Sequence, residues 1–179
     1  MELYSDAYYI QRVEAGETAC FACLVDKYSR SVYNLIAKVV GNKEDAEELT
    51  QDVFLKVFRK LSSFHGDSRF STWIYRIAYN EAISATRKRK PHFTSIDDLP
   101  VSETEEEEDS KEPAIQLLEQ ALHELSAEER AMILLFYTEE KSIREIAQIT
   151  KTSESNTKTK LHRIRKKIEK YMEAAQKRN

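Results

Sequence analysis

Apolar residues recur at three- and four-residue steps along most of this chain, and little interrupts them. Only three Gly and three Pro stand among 179 residues, so there are few places where the backbone can reverse tightly. That combination makes amphipathic helices the main element, because a half-buried strand would alternate with a period of two. Phe21, Leu24, Val25, Tyr28, Val32, Leu35, Ile36 and Val39 fall on one stripe, and residues 4–40 read as helix. Gly41 suits the position just past a helix end, and Asn42 can cap the next helix. From Glu44 to Leu61 the stripe resumes as Ala46, Leu49, Val53, Phe54, Val57 and Leu61. Residues 62–68 read as a loop by composition, and Phe70 to about Arg87 as a helix with an aromatic-rich first half.

Charge divides the chain further. Five basic residues and one acid lie between Arg76 and Lys90, and ten basic residues and three acids between Lys151 and Arg178. Between them, Asp97 to Glu112 holds nine acids and one Lys, and Pro91, Pro100 and Pro113 punctuate residues 91–113. A stretch of that composition cannot bury enough apolar surface to offset its ordering entropy. The expected fold is therefore all-α. Two small helical domains, residues 1–90 and 114–179, are joined by a flexible acidic linker over 91–113. Two basic segments parted by an acidic one suit a chain that grips a polyanion at two places.

Several function classes drop out. The longest apolar run, Ala131 to Phe136, falls far short of the roughly 18–20 residues that a membrane span needs. The first residues, Met-Glu-Leu-Tyr-Ser-Asp, lack the basic and apolar stretches of a secretory signal, so a cytoplasmic protein without direct membrane insertion is expected. Cys20 and Cys23 are then reduced thiols, read as small residues on the buried side of a helix, since no second Cys or His pair stands at metal-ligand spacing. No catalytic cluster, phosphate loop, metal site or cofactor motif is read anywhere, so the expectation is not an enzyme.

The C-terminal third carries a binding motif. Ser126-Ala-Glu-Glu129 and Ser142-Ile-Arg-Glu145 are capping boxes that open two helices, and Ser153 can cap a last long helix to about Tyr171. Two short helices, the turn Thr150-Lys151-Thr152 and a basic helix make a helix-turn-helix candidate. In that last helix Leu161, Ile164 and Ile168 face inward. Lys158, Thr159, His162 and Arg163 lie early enough to meet base edges, with Lys160 among the binding candidates, and Lys166, Lys167 and Lys170 sit further along, toward phosphates.

In the first domain, Asp45-Ala-Glu-Glu-Leu-Thr-Gln-Asp-Val-Phe54 is followed by Phe64-His-Gly-Asp-Ser-Arg-Phe-Ser-Thr-Trp-Ile-Tyr-Arg-Ile-Ala-Tyr-Asn80. These runs resemble region 2 of the sigma factors of bacterial RNA polymerase, most of all the extracytoplasmic-function (group IV) class of the sigma-70 family. Leu125-Ser-Ala-Glu-Glu-Arg and Lys158-Thr-Lys-Leu-His-Arg-Ile-Arg165 resemble region 4 of that class. The chain departs from the family near its recognition helix: Glu154-Ser155 stands where a Gly or Pro is usual, and Asn156-Thr157 replaces Thr-Val.

The resemblance implies an alternative sigma factor that carries core polymerase to promoters. Asp45, Glu48, Gln51 and Asp52 would dock on the β′ clamp helices, with further contact to the β subunit. Phe64, His65, Asp67 and Ser68, with Asn80, would line a pocket for one extruded base of the −10 element. Trp73 and Ile77 would be core. Arg76, Arg87, Lys88, Arg89 and Lys90 would meet phosphates, and Lys158–Lys167 would read the −35 element. An anti-sigma partner, often membrane-bound, is implied as well. The runner-up is a stand-alone helix-turn-helix repressor, which would bind duplex without polymerase; the sequence shows no dimer helix to support it.

Overall fold

The computed structural model describes residues 5–88 and 113–177. Its elements are α1 (Asp6–Glu14), α2 (Phe21–Val40), α3 (Lys43–Arg59), α4 (Phe70–Lys88), α5 (Pro113–His123), α6 (Ala127–Tyr137), α7 (Ile143–Thr150) and α8 (Glu154–Gln176). Short 3₁₀ turns at Thr18–Cys20 and Leu61–Ser63 connect them, and no strand occurs among the described residues. The acidic stretch read as a linker lies outside the described residues, except Pro113. That residue opens α5, where a first helical position has no use for an N–H.

The helix stops follow local chemistry. Gly41 ends α2 in the left-handed region at φ 71°, and the Asn42 side chain accepts from the Asp45 amide at 2.9 Å to start α3. Both capping boxes form. The Ser126 and Ser142 hydroxyls accept from the Glu129 and Glu145 amides at 3.2 Å, and each Glu carboxylate accepts from the amide of its own Ser. The expected helix over 4–40 is corrected: it breaks into α1 and α2. Gly16 sits at φ 100°, which no helical turn allows, and the Thr18–Cys20 turn re-aims the chain. Residues 62 and 63 belong to a 3₁₀ turn rather than to an open loop, and α8 runs to Gln176, past Tyr171. Both cysteines are free thiols: Cys20 is half-buried and packs against the core, as expected, whereas Cys23 is exposed and leaves the buried side. Leu24 takes the inward position in that turn of α2.

α2 is the central element, packing on α1, α3, α4 and α6. Leu24, Val32, Leu35, Ile36 and Val39 are at most 3% exposed. Burial of each contributes about 1.5–3 kcal/mol. The C-terminal unit closes around Leu125, Leu135, Ile146, Ile149, Leu161 and Ile164, and its core is continuous with that of α2–α4. Arg130 ties the seam: its guanidinium donates to the Leu122, His123 and Leu125 carbonyls at the end of α5 and to the Lys38 carbonyl of α2 at 3.2 Å.

Partial burial pushes the Glu129 and Glu145 carboxyls up. For Glu129 the Lys167 ammonium and the Ser126 amide outweigh that, and for Glu145 the Ser142 amide and hydroxyl with Lys141 and Arg69 do so. Both therefore titrate below the usual carboxylate value of 4.5. A depressed folded-state value stabilises fully above the unfolded value and loses that contribution as pH falls through the folded one. The thermal midpoint is expected to drop on acidification below pH 4.5. The Glu129→Gln/Glu145→Gln variant, which keeps both capping boxes, should lose less. Calorimetry across pH 3–6 checks this, and equal acid losses in both proteins would contradict it.

Candidate nucleic-acid interface

Three surfaces collect the residues singled out by sequence. The first is the outer face of α3. At 100° per residue Asp45, Glu48, Asp52, Leu55 and Arg59 share one stripe, opposite the buried Ala46, Val53 and Val57. Glu48, Gln51 and Asp52 are exposed and Asp45 is half-buried. Asp52, Leu55, Lys56, Arg59, Lys60 and Glu81 line an open groove of about 440 Å³, one wall of which is the Lys56–Glu81 ion pair. Leu55 and Phe58, 52% and 40% exposed, were missed in the sequence. They are the apolar residues that fall off the α3 core stripe, which is the signal that finds them. Phe58 meets Phe21 edge-on at 5.0 Å.

The second surface is a cavity of about 200 Å³ lined by Ser63, Phe64, His65, Asp67, Ser68, Thr72, Trp73, Arg76 and Gln148. Its floor is aromatic. Phe64, Phe70 and Trp73 lie 5.4–5.8 Å apart, and Tyr28 meets Phe70 at 5.7 Å. Such pairs add about 0.5–1.5 kcal/mol each beyond burial and pin the loop to α4. Phe64 thus packs as well as lines: it is half-buried against the core. Trp73 is core as expected, while Ile77 is only half-buried. Polar groups form the rim. His65 and Asp67 are exposed, and Ser68 and Arg76 are half-buried.

The structure brings Phe64, His65, Asp67, Ser68 and Arg76 together and leaves Asn80 out of the cavity. Asn80 lies exposed one turn further along α4, and Arg87 and Lys88 lie at the helix end. Arg87 pairs with Glu128 of α6. Arg89 and Lys90 lie outside the described residues. Ser63, Thr72 and Gln148 were missed. Gln148 arrives from α7, and nothing local in the sequence announces such a distant neighbour.

The third surface is α8. Thr157, Leu161 and Ile164 are buried at 0–1% exposure, and Ile168 half-buried, along one side. Lys158, Thr159, His162, Arg163 and Lys166 are exposed on the other. Lys160 falls on a flank between the two and is half-buried, and Lys167, exposed, is paired with Glu129. Arg165 is held over the Phe136 and Tyr137 rings at 5.0 and 5.5 Å. The turn before α8 places Lys151 in the left-handed region at φ 54° and links three hydroxyls, Thr150 to Thr152 at 3.0 Å and Thr152 to Thr157 at 2.8 Å. No helix among the described residues is long and apolar enough to cross a membrane.

Both halves of the chain match known families. Residues 24–92 match the family described as Sigma-70 region 2, and residues 115–168 match Sigma-70, region 4. The ECF RNA polymerase sigma factor SigW of Bacillus subtilis is 32% identical over 178 residues, covering 91% of this chain and 94% of its own length. The ECF RNA polymerase sigma-E factor of Haemophilus influenzae is 28% identical over 181 residues, covering 94% and 95%. The solved structure of CnrH in complex with the cytosolic domain of CnrY has a TM-score of 0.72 across 96% of this chain and 99% of that one; at 19% identity it is a likeness of fold. The three surfaces lie within the two matched spans.

Thr157 tests the geometry of the third surface. Its hydroxyl donates to the Ser153 carbonyl at 2.9 Å, but that carbonyl also accepts the Thr157 amide, and Thr152 keeps Thr150. Thr157→Val is therefore expected to change stability by less than about 1 kcal/mol, whereas Thr157→Asp, burying an unpaired charge, should cost several. Denaturant unfolding of both variants checks the contrast.

Proposed function

The chain belongs to the ECF RNA polymerase sigma factors, and on that premise we propose how its surfaces divide the work. It is an alternative sigma factor that binds core RNA polymerase and directs promoter recognition and the start of transcription. The domain reading follows: residues 1–90 act as region 2, residues 114–179 as region 4, and 91–113 join them. The acidic and apolar face of α3 docks on the β′ clamp helices. Asp45, Glu48, Gln51 and Asp52 supply register and association rate, and Leu55 and Phe58 supply apolar contact.

The single observation that carries the rest is the small cavity with an aromatic floor and a polar rim at the head of α4. A cavity of that make suits one unpaired base of the −10 element. Trp73 and Phe64 offer ring surface to stack or pack on, and His65, Asp67, Ser68 and Arg76 offer donors and acceptors for a base edge or the adjoining phosphate. Asn80 extends this face along α4 toward the next nucleotide. The cationic helix ends at Arg87 and Lys88 then hold the strand by phosphates. Lys158, Thr159, His162 and Arg163 of α8 read the −35 duplex, with Lys166 on the backbone and Lys160 and Lys167 flanking. Joining two modest sites on one chain raises effective concentration, so neither binds tightly alone.

No chemistry falls to this chain; nucleotide addition is the polymerase's. It works in the cytoplasm beside that enzyme. An anti-sigma factor that covers the α3 and α8 faces would hold it inactive. Two solved structures of like fold are complexes, CnrH with the cytosolic domain of CnrY and the sigma factor RpoE with the anti-sigma factor NepR from Bartonella quintana, and they support such a partner here. A stand-alone repressor leaves the region 2 match unexplained.

The direct test adds purified protein to sigma-free core polymerase with a promoter library. Specific run-off transcripts are expected; unaided palindrome binding without transcripts would sink the assignment. Within that assay, Asn80→Ala should lower open-complex formation about tenfold, in keeping with about 1–3 kcal/mol per base contact, and spare core binding. Arg163→Ala should weaken promoter binding by a comparable factor at the −35 positions alone. Glu48→Lys/Asp52→Lys should slow association with core and reverse its salt dependence, read by stopped-flow fluorescence.

A further inference from the structure

We infer that Thr159 selects a thymine in the −35 duplex: its hydroxyl is tied to its own helix, and its methyl group meets the thymine methyl in the major groove, with Ser155 beside it. The inference rests on the reading of α8 as the duplex-binding helix. At 100° per residue, Thr159 stands within about 15° of the line opposite the buried Thr157, Leu161 and Ile164, and Ser155 within about 30°. Both are exposed. The Thr159 hydroxyl donates to the Ser155 carbonyl, one turn back, at 3.1 Å. Ser155 was not among the binding residues read from the sequence.

Size and charge are sorted across that face. The residues nearest its midline in the first turns of α8 are short, while Lys158 and Arg163, long and exposed, flank them. A helix about 10–12 Å in diameter nearly fills a major groove about 12 Å wide. Short side chains on the midline let the backbone approach the base edges. Long cations on the flanks reach the phosphate walls or the neighbouring base pairs.

What the groove floor offers decides the base. Among the four bases only thymine shows a methyl group there. A free hydroxyl pressed against that methyl would lose its water without gaining a partner. The Thr159 hydroxyl already has a partner in the Ser155 carbonyl, so the side chain can be dehydrated against an apolar group at little cost. Its methyl is the group left to make the contact. The start of α8 is also fixed before DNA arrives, which lowers the ordering cost of binding. Ser153 caps it by accepting from the Asn156 amide at 3.2 Å, and the Thr157 hydroxyl donates to the Ser153 carbonyl at 2.9 Å.

The test uses holoenzyme made from the full chain and core polymerase, on a promoter recovered from the library. Each −35 thymine, on either strand, is replaced in turn by deoxyuridine, which removes the methyl group and leaves base pairing intact. One replacement is expected to weaken promoter binding about fourfold, the scale of one buried methyl group. Thr159→Val keeps the methyl and loses only the hydroxyl, and the Ser155 carbonyl keeps its helical amide partner. This variant should show the same loss at the same thymine. Thr159→Ser keeps the hydroxyl and loses the methyl. It should bind the thymine promoter about fourfold more weakly than wild type and treat deoxyuridine there as equal. A Thr159→Ser variant that still discriminates, or a wild type indifferent to every replacement, would overturn the inference. If Arg163→Ala still weakens −35 binding in that case, the duplex reading of α8 stands without it; if Arg163→Ala is silent too, that reading fails as well.

Discussion

Burial of one face of α2 is the constraint on which the rest of this structure depends. Val32 and Ile36 are fully buried, with Leu24 and Leu35 nearly so, and helices from both halves of the chain pack on that face. Once α2 is fixed, the apolar sides of α3 and α4 must turn toward it, and their polar sides have one direction left. The functional residues are thus placed by their buried neighbours. Asp52 precedes Val53, and Arg76 stands two positions from Ile74 and Ala78. A substitution in the core would tilt a docking face without touching it.

In the proposed reading, packing and binding at the aromatic cluster at the head of α4 share the same atoms. Phe70 and Trp73 are buried, and Phe64 is caught between them and solvent. An unsupported loop residue would have to be ordered each time a base arrived. A ring already held by two others carries that entropy cost in folding, so binding does not bear it again. The polar rim stays adaptable because it stands on the loop, while the floor belongs to the helix.

Much of this was legible in the sequence, and what was not has a common cause. The α2 and α3 stripes, Gly41, Asn42, both capping boxes and the inward face of α8 all follow from contacts within a few residues. The break at Gly16 was missed although Glu14, Gly16, Glu17 and Thr18 interrupt the apolar spacing between Val13 and Phe21. Lys160 was grouped with the reading face by charge, and only the helical angle moves it to the flank, where it is half-buried. Leu55 and Phe58 were overlooked as stray apolar residues. Thr72, Glu145 and Gln148 have a different obstacle. They meet across more than seventy positions, and periodicity says which side a residue faces but never what it will face.

The distribution of charge explains how a chain with net charge −3 handles a polyanion. Within the C-terminal unit Lys158, Arg163 and Lys166 of α8 are exposed, whereas Glu128, Glu139 and Glu145, from α6, the following loop and α7, meet α4. Net charge averages these away, but a ligand meets fields only within about 8–10 Å at physiological salt. Each face therefore acts on its own: one presents cations to solvent, and the other meets the basic and hydroxylic side of α4. Reversing the net charge while keeping that local sorting would alter encounter rates more than recognition. Mixing the signs on either face would erase recognition even at the same net charge.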